Sequence, residues 1–187
     1  MYYKIYTDGS TKNNGKDGTV GGYAFLVTDP YGNIIDAYAE NNIPDTTNNR
    51  MELTAILAAL FMYEKRMRRK DQDASIELYS DSEYALRSLF QWSTNWASNG
   101  WKTAKGTDVK NQDLIKNFYD KQWYPYLKNQ AEGKRNSWSK FFYFHVKGHS
   151  EDKYNNIVDK LATGEYTVEE VLKKNENRQT KIENIIF

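Results

Sequence analysis

At 187 residues the chain is long enough to bury one sizeable core and fits a single body with an appended terminal element. Its 26 Lys and Arg stand against 25 Asp and Glu. Net charge therefore excludes a general pull toward polyanions and leaves that task to local clusters such as Lys65-Arg66-Met67-Arg68-Arg69-Lys70. Without cysteine and with two histidines, disulfide frameworks, thiolate metal sites and histidine-rich sites are excluded, and any metal must be held by oxygen.

Met1-Tyr2-Tyr3-Lys4 leads straight into a strand pattern, with no apolar signal core and no apolar run long enough to span a bilayer. A cytoplasmic protein that uses no membrane is the expectation. Aromatic and β-branched alternation predicts strands at Tyr2–Thr7, Gly21–Thr28 and Asn33–Glu40. Asp29-Pro30-Tyr31-Gly32 joins the last two as a type I turn, with Pro fixing φ at the second position. From Leu53 the apolar residues Ile56, Leu57, Leu60 and Phe61 form the stripe of a helix lying on a sheet and ending near Lys70-Asp71. Ile76–Tyr79 follows as a fourth strand. A helix thus crosses between it and the hairpin, as parallel pairing requires, and the sheet should be mixed.

Glu83–Phe90 reads as helical, then come Trp92, Trp96 and Trp101, then a helix over Asp108–Lys121. After Tyr124-Pro125 a polar excursion runs through Ser139, before a fifth strand at Phe141–Lys147 and a helix at Lys153–Thr163. Thr167-Val168-Glu169-Glu170 has the capping-box pattern and starts a helical tail that docks Val168, Val171 and Leu172 on the body. The fold class is α/β, a five-stranded mixed sheet flanked by helices with an extra C-terminal helical tail.

Four acids occupy informative places. Asp8 falls at the carboxyl end of the first strand and Asp81 just past the fourth, where ligand crevices of open α/β sheets form. Glu52 borders the buried stripe of the first helix, and Asp159 shares a helix face with Asn155. Taken singly, each has an ordinary explanation as a turn former, a dipole partner, a cap or a surface acid. Taken together they would repel by on the order of several kcal/mol at about 4 Å separation. Divalent cations would relieve that repulsion, and paired Mg²⁺ or Mn²⁺ ions are a common device for cleaving phosphodiesters.

The segments Tyr6-Thr7-Asp8-Gly9-Ser10, Asn48-Asn49-Arg50-Met51-Glu52-Leu53, Ser80-Asp81-Ser82, Val146-Lys147-Gly148-His149 and Asp159-Lys160-Leu161-Ala162 resemble the ordered signature of the type I ribonuclease H family. The resemblance implies a catalytic domain over residues 1–163 with a ribonuclease H-like fold, followed by a helical extension over 164–187. It implies endonucleolytic cleavage of the RNA strand of RNA–DNA hybrids, leaving 5′-phosphate and 3′-hydroxyl ends. Asp8, Glu52, Asp81 and Asp159 would hold two Mg²⁺ ions, replaceable by Mn²⁺, with Asp8 between both. His149 matches a loop histidine that assists proton movement or product release. Asn13, Asn14, Asn48 and Glu83 match contacts to the minor groove of the hybrid, where the 2′-hydroxyl tells ribose from deoxyribose, and the small polar groups and exposed backbone of Gly9 and Ser10 beside Asp8 suit the same substrate. Thr47 and Asn111 match a pocket for a DNA phosphate, and Tyr84 and Trp96 an aromatic floor under deoxyriboses. Partner and state are thus an RNA–DNA hybrid and a monomer.

Trp92 is expected in the core and His145 in a structural role. Residues Ala97-Ser98-Asn99-Gly100 lack the consecutive cations that many members carry before Trp101, so Lys102, Lys105 and Lys110 must supply any local grip on phosphates. The Lys65–Lys70 cluster can complement the carboxyl end of the first helix. Two other readings keep the fold, a DNA-cleaving relative of integrases and resolvases and a non-catalytic hybrid-binding module. The Asn-rich segments and Trp-rich protrusion weigh against the first, and retention of all four acids against the second. A fragment of a reverse transcriptase is a further source of the same signature.

Overall fold

Alternating side chains along five strands place one set on each face of a sheet. These strands are Tyr2–Lys12 (β1), Val20–Thr28 (β2), Ile34–Pro44 (β3), Ser75–Ser80 (β4) and Phe141–His145 (β5), in the spatial order β3-β2-β1-β4-β5. The computed structural model describes residues 2–13, 18–62, 74–134, 140–148 and 152–173. The Lys65–Lys70 cluster and the predicted end of the first helix lie outside them. The sheet is mixed: β1 pairs antiparallel with β2 and parallel with β4, and β4 pairs parallel with β5. The expected Asp-Pro-Tyr-Gly turn forms, with Gly32 N–H donating to the Asp29 carbonyl at 3.0 Å.

Strand β1 extends past its predicted end. Its parallel pairing stops at Thr7 opposite Ser80, while its antiparallel pairing with β2 continues from Asp8 opposite Ala24 to Lys12 opposite Val20. Asp8 therefore lies within β1 rather than at its end, at the level where β4 stops.

Thr47 opens the first helix, α1 (Asn48–Met62), by accepting the Arg50 N–H at 3.3 Å. Leu53, Ile56 and Leu60 are fully buried as the stripe predicts, but Phe61 is half exposed. The second helix, α2, spans 83–98 and is capped by Ser82, whose Oγ accepts the Ala85 N–H; it contains a wide π-type turn at Ser88–Trp92. The third, α3, spans 112–131 with a similar turn at Tyr119–Trp123. It runs straight through Tyr124-Pro125, where an excursion is predicted. The wide turn makes Pro125 the start of a new α-helical segment, a position at which its missing N–H and fixed φ are tolerated. Helix α4 (Lys153–Thr163) has the predicted bounds, with Asp152 capping its start and Gly164, at φ 78°, its end.

One apolar layer lies between the sheet and α1, α2 and α3, built on Ile5, Phe25, Ile76, Leu78 and their helical partners. A second lies on the other face, where α4 brings Val158, Leu161 and Ala162 against Tyr6, Ala24 and Leu26. The tail joins this second layer as expected. Glu170 and Thr167 cap one another reciprocally, residues 168–173 are helical, and Val171 is 4% exposed with Val168 and Leu172 packed beside it. Val171→Ala removes two buried methyl groups and should cost about 2 kcal/mol. Urea unfolding that shows no loss would place the tail outside the cooperative fold. Among the described residues no helix is long and apolar enough to cross a membrane.

Candidate active site

Four separate segments deliver acids to one end of the sheet. Asp8 points from β1 and Glu52 from the first turns of α1, both 6% exposed. Asp81 follows β4, and Asp159 comes from α4. Asp8, Glu52 and Asp81 each offer an oxygen within 4.8 Å of the others. Asp159 lies outside that trio but lines the same hollow. All four share a hollow of about 280 Å³ with Gly9, Ser10, Asn48 and Asn155.

Local chemistry fixes each acid. Glu52 accepts the Gly9 N–H at 3.2 Å through Oε2 and the Asn48 side-chain amide at 3.4 Å through Oε1. That geometry needs β1 to run against the backbone of α1. A Cβ built on Gly9 would lie 2.2 Å from Glu52 N and 2.3 Å from Met51 C, both backbone atoms that cannot yield. Gly9→Ala should therefore destabilise the protein by about 1–3 kcal/mol and displace Glu52. Urea unfolding together with Mg²⁺ titration checks this, and native values in both would refute the close approach. His145 Nε2 donates to the Asp81 carbonyl at 3.1 Å, and Val146 N–H to the Ser80 carbonyl at 3.0 Å. His145 thus has the structural role expected of it, bracing the turn that presents Asp81. The chain then passes so close that a Cβ on Gly148 would lie 2.8 Å from Asp81 Oδ2.

The electrostatics follow from burial and crowding. The Asp8 carboxyl is pushed up to about 8, first by burial and then by the charges of Asp81 and Asp159. Glu52 is raised well above its ordinary value, by burial first and then by Asp8 and Asp81. The donor set is hard oxygen throughout, and Asn155 adds a buried amide Oδ1 with no hydrogen-bond partner among the described residues. Both features fit divalent cations.

The predicted substrate residues divide into neighbouring surfaces. Gly9, Ser10 and Asn48 line the acidic hollow itself. Thr47, Asn48 and Asn111 gather with Lys110 around a second hollow of about 510 Å³. Asn111, at φ 54°, donates its amide to the Tyr84 hydroxyl at 3.3 Å, which leads to a third, aromatic depression of about 490 Å³. Trp92 and Trp96 line this depression, with ring centroids 5.7 Å apart. The placement of Trp92 in the core is thereby corrected. At the end of the wide turn Ser88–Trp92 its ring is half-buried, outside the apolar core, beside Tyr84 and under the Arg87 guanidinium, 5.9 Å from the ring centroid. Periodicity alone could not reveal that turn. Lys102 reaches the same depression but is paired with Asp108 at 2.5 Å. Glu83 is exposed and paired with Arg87 at 2.6 Å. Asn13, at φ 60°, accepts the Thr19 hydroxyl through its carbonyl. Asn14 and His149 lie outside the described residues.

The hollow thus gathers buried carboxylates at one end of a mixed sheet, a set of hard oxygens that could hold divalent metal. The family model for RNase H matches residues 1–167. A Ribonuclease H of Clostridium botulinum is 37% identical over 84% of this chain and 91% of its own length, and one of Acetivibrio thermocellus 36% identical over 86% and 92%. Among solved structures, the foamy viral protease-reverse transcriptase in complex with RNA/DNA hybrid superposes with a TM-score of 0.64 at 19% identity, covering 86% of this chain and 19% of that one. The chain belongs to the RNase H family, a family of endoribonucleases.

Proposed function

We propose that this chain hydrolyses the RNA strand of RNA–DNA hybrids endonucleolytically with two divalent cations, leaving 5′-phosphate and 3′-hydroxyl ends. The observation that carries the reading is the convergence of Asp8, Glu52, Asp81 and Asp159 on one hollow from four separate segments. Relatives named Ribonuclease H and the hybrid-bound foamy viral structure support it.

Bound cations would supply an activated water and charge stabilisation of the leaving oxygen. Asp8, Glu52, Asp81 and Asp159 would hold them, Asp8 contributing to both, with Mg²⁺ as the ion and Mn²⁺ able to replace it. Gly9, Ser10 and Asn48, beside the acids, would meet the 2′-hydroxyls of the RNA strand, with Asn13, Asn14 and Glu83 as further minor-groove contacts. Thr47 and Asn111, with Lys110, would take a phosphate of the DNA strand. Tyr84 and Trp96, joined by Trp92, would seat deoxyriboses on their ring faces. His149 would move a proton or help product leave. Every acid comes from one chain, which suits a monomer, and the cytoplasm is the proposed location.

One cleavage panel tests this reading: labelled hybrid, duplex RNA, duplex DNA and single strands, each with Mg²⁺, Mn²⁺ or chelator. Cutting confined to the RNA of the hybrid and abolished by chelator is expected. Preference for duplex DNA would favour the integrase-like reading, and binding without cutting the non-catalytic one.

A further inference from the structure

Residues 102–108 form a small hairpin beside the aromatic depression. Thr103 N–H donates to the Thr107 carbonyl at 2.8 Å and Val109 N–H to the Trp101 carbonyl at 3.2 Å, so Lys102 and Asp108 face one another between these two bonds. Side chains of an antiparallel pair come closest at such a position. Gly106 closes the turn at φ 76°, its N–H on the Thr103 carbonyl at 2.9 Å, and the Thr103 and Thr107 hydroxyls meet at 2.8 Å. Trp101, 8% exposed, anchors the base and donates its N–H to the Trp96 carbonyl at 2.7 Å. The hairpin is thus fixed to the helix that carries Trp96, and it holds the Lys102 ammonium 2.5 Å from Asp108 Oδ1.

Lys102 lines the depression with Trp92 and Trp96, so a deoxyribose seated on those rings would bring its phosphate toward this ammonium. An ammonium already neutralised by a carboxylate adds little to the release of counterions that drives phosphate binding, and the carboxylate itself repels the strand. Arg87, over the Trp92 ring, is matched in the same way by Glu83 at 2.6 Å, whereas Lys110 of the neighbouring hollow has no carboxylate partner among the described residues. We propose that Asp108 sets the strength and the salt dependence of hybrid binding by withholding Lys102 from the DNA backbone, which leaves the depression to hold that strand through ring contact. This rests on the proposed function and goes beyond it by naming the residue that limits the grip. An exposed ion pair is individually weak, so its effect on affinity is a few fold, and the response to salt is what identifies it.

The test is binding of a labelled RNA–DNA hybrid to the full chain, followed by anisotropy in chelator from about 50 to about 200 mM KCl. Each phosphate contact contributes about 0.9 to the slope of log affinity against log salt, a change of about threefold over that range. Asp108→Asn should therefore steepen the slope by about one unit and tighten binding several fold at about 50 mM, with the gain about threefold smaller at about 200 mM. The gain should depend on Lys102: adding Asp108→Asn to Lys102→Ala should leave the slope within about half a unit of that of Lys102→Ala alone. Both side chains are exposed, so neither change reaches the core. An unchanged slope in Asp108→Asn, or the same increase with Lys102 already removed, overturns the inference alone. Weaker binding in Asp108→Asn overturns it too, since it would show that the carboxylate serves only to hold the hairpin together. A native chain with no affinity for hybrid overturns the proposed function with it.

Discussion

Asp81→Asn is expected to remove Mg²⁺-supported cleavage while leaving hybrid affinity within a few fold and making the metal-free protein more stable. Asp81 places an oxygen within 4.8 Å of oxygens of Asp8 and Glu52, so the substitution exchanges a charged carboxylate of the proposed metal site for a neutral amide. Outer-shell partners of metals are worth about 10–100-fold, and a direct ligand should cost more than about 10²-fold in turnover. The backbone there is held independently of the side chain, through His145 Nε2 on the Asp81 carbonyl and Val146 N–H on the Ser80 carbonyl. The hollow of Thr47, Lys110 and Asn111 and the aromatic depression are separate from Asp81, so hybrid should still bind. Stability moves the opposite way because the Asp81 charge is, after burial, the largest cause raising Asp8. Single-turnover cleavage, anisotropy binding and urea unfolding in chelator measure the three effects. Undiminished turnover would sink the assignment.

What could be read in the linear chain follows from how local each signal is. The hairpin turn, the bounds of α4 and the Thr167 cap depend on a few adjacent residues, and each forms as its residues dictate. The four acids were legible because their motifs recur in a fixed order, although no single one identifies a site. Features that depend on distant partners were hidden. Asp8 lies inside β1 because β2 offers a longer pairing partner than β4, and nothing in Tyr6-Thr7-Asp8-Gly9 announces that. Two wide turns shift the helical phase, which leaves Trp92 half-buried outside the core and lets α3 pass Pro125. The contact of Gly9 with the α1 backbone, the brace of His145 on Asp81 and the unsatisfied oxygen of Asn155 arise only when β1, α1, β4, β5 and α4 meet. They are also the features that shape the hollow. The sequence thus singles out the four acids, and packing sets how closely they are pressed together.

That pressure predicts an inverted dependence of stability on pH. In the metal-free fold Asp8 titrates near about 8, against an ordinary 3.8 for an exposed carboxyl. Between those values the folded protein keeps a proton on Asp8 that the unfolded chain has released. Stability changes with pH in proportion to protons bound in the unfolded state minus those bound in the folded state, a negative quantity here. The Asp8 contribution is therefore complete at low pH, falls as pH rises through the window and is lost above about 8, an effect on the order of a few kcal/mol. Glu52, also raised by burial and by Asp8, acts in the same direction. Asp113, lowered by its bidentate pair with Arg50, acts in the opposite one, but that pair is exposed and worth little. Urea unfolding in chelator should show a less stable protein near about pH 8 than near about pH 5, with the difference shrinking in Asp8→Asn. Mg²⁺ competes with the proton for these oxygens, so the stabilisation it confers should grow with pH and offset the loss. A metal-free protein that gains stability over this range, equally in native and Asp8→Asn forms, would mean that the carboxylates are not forced together in the fold.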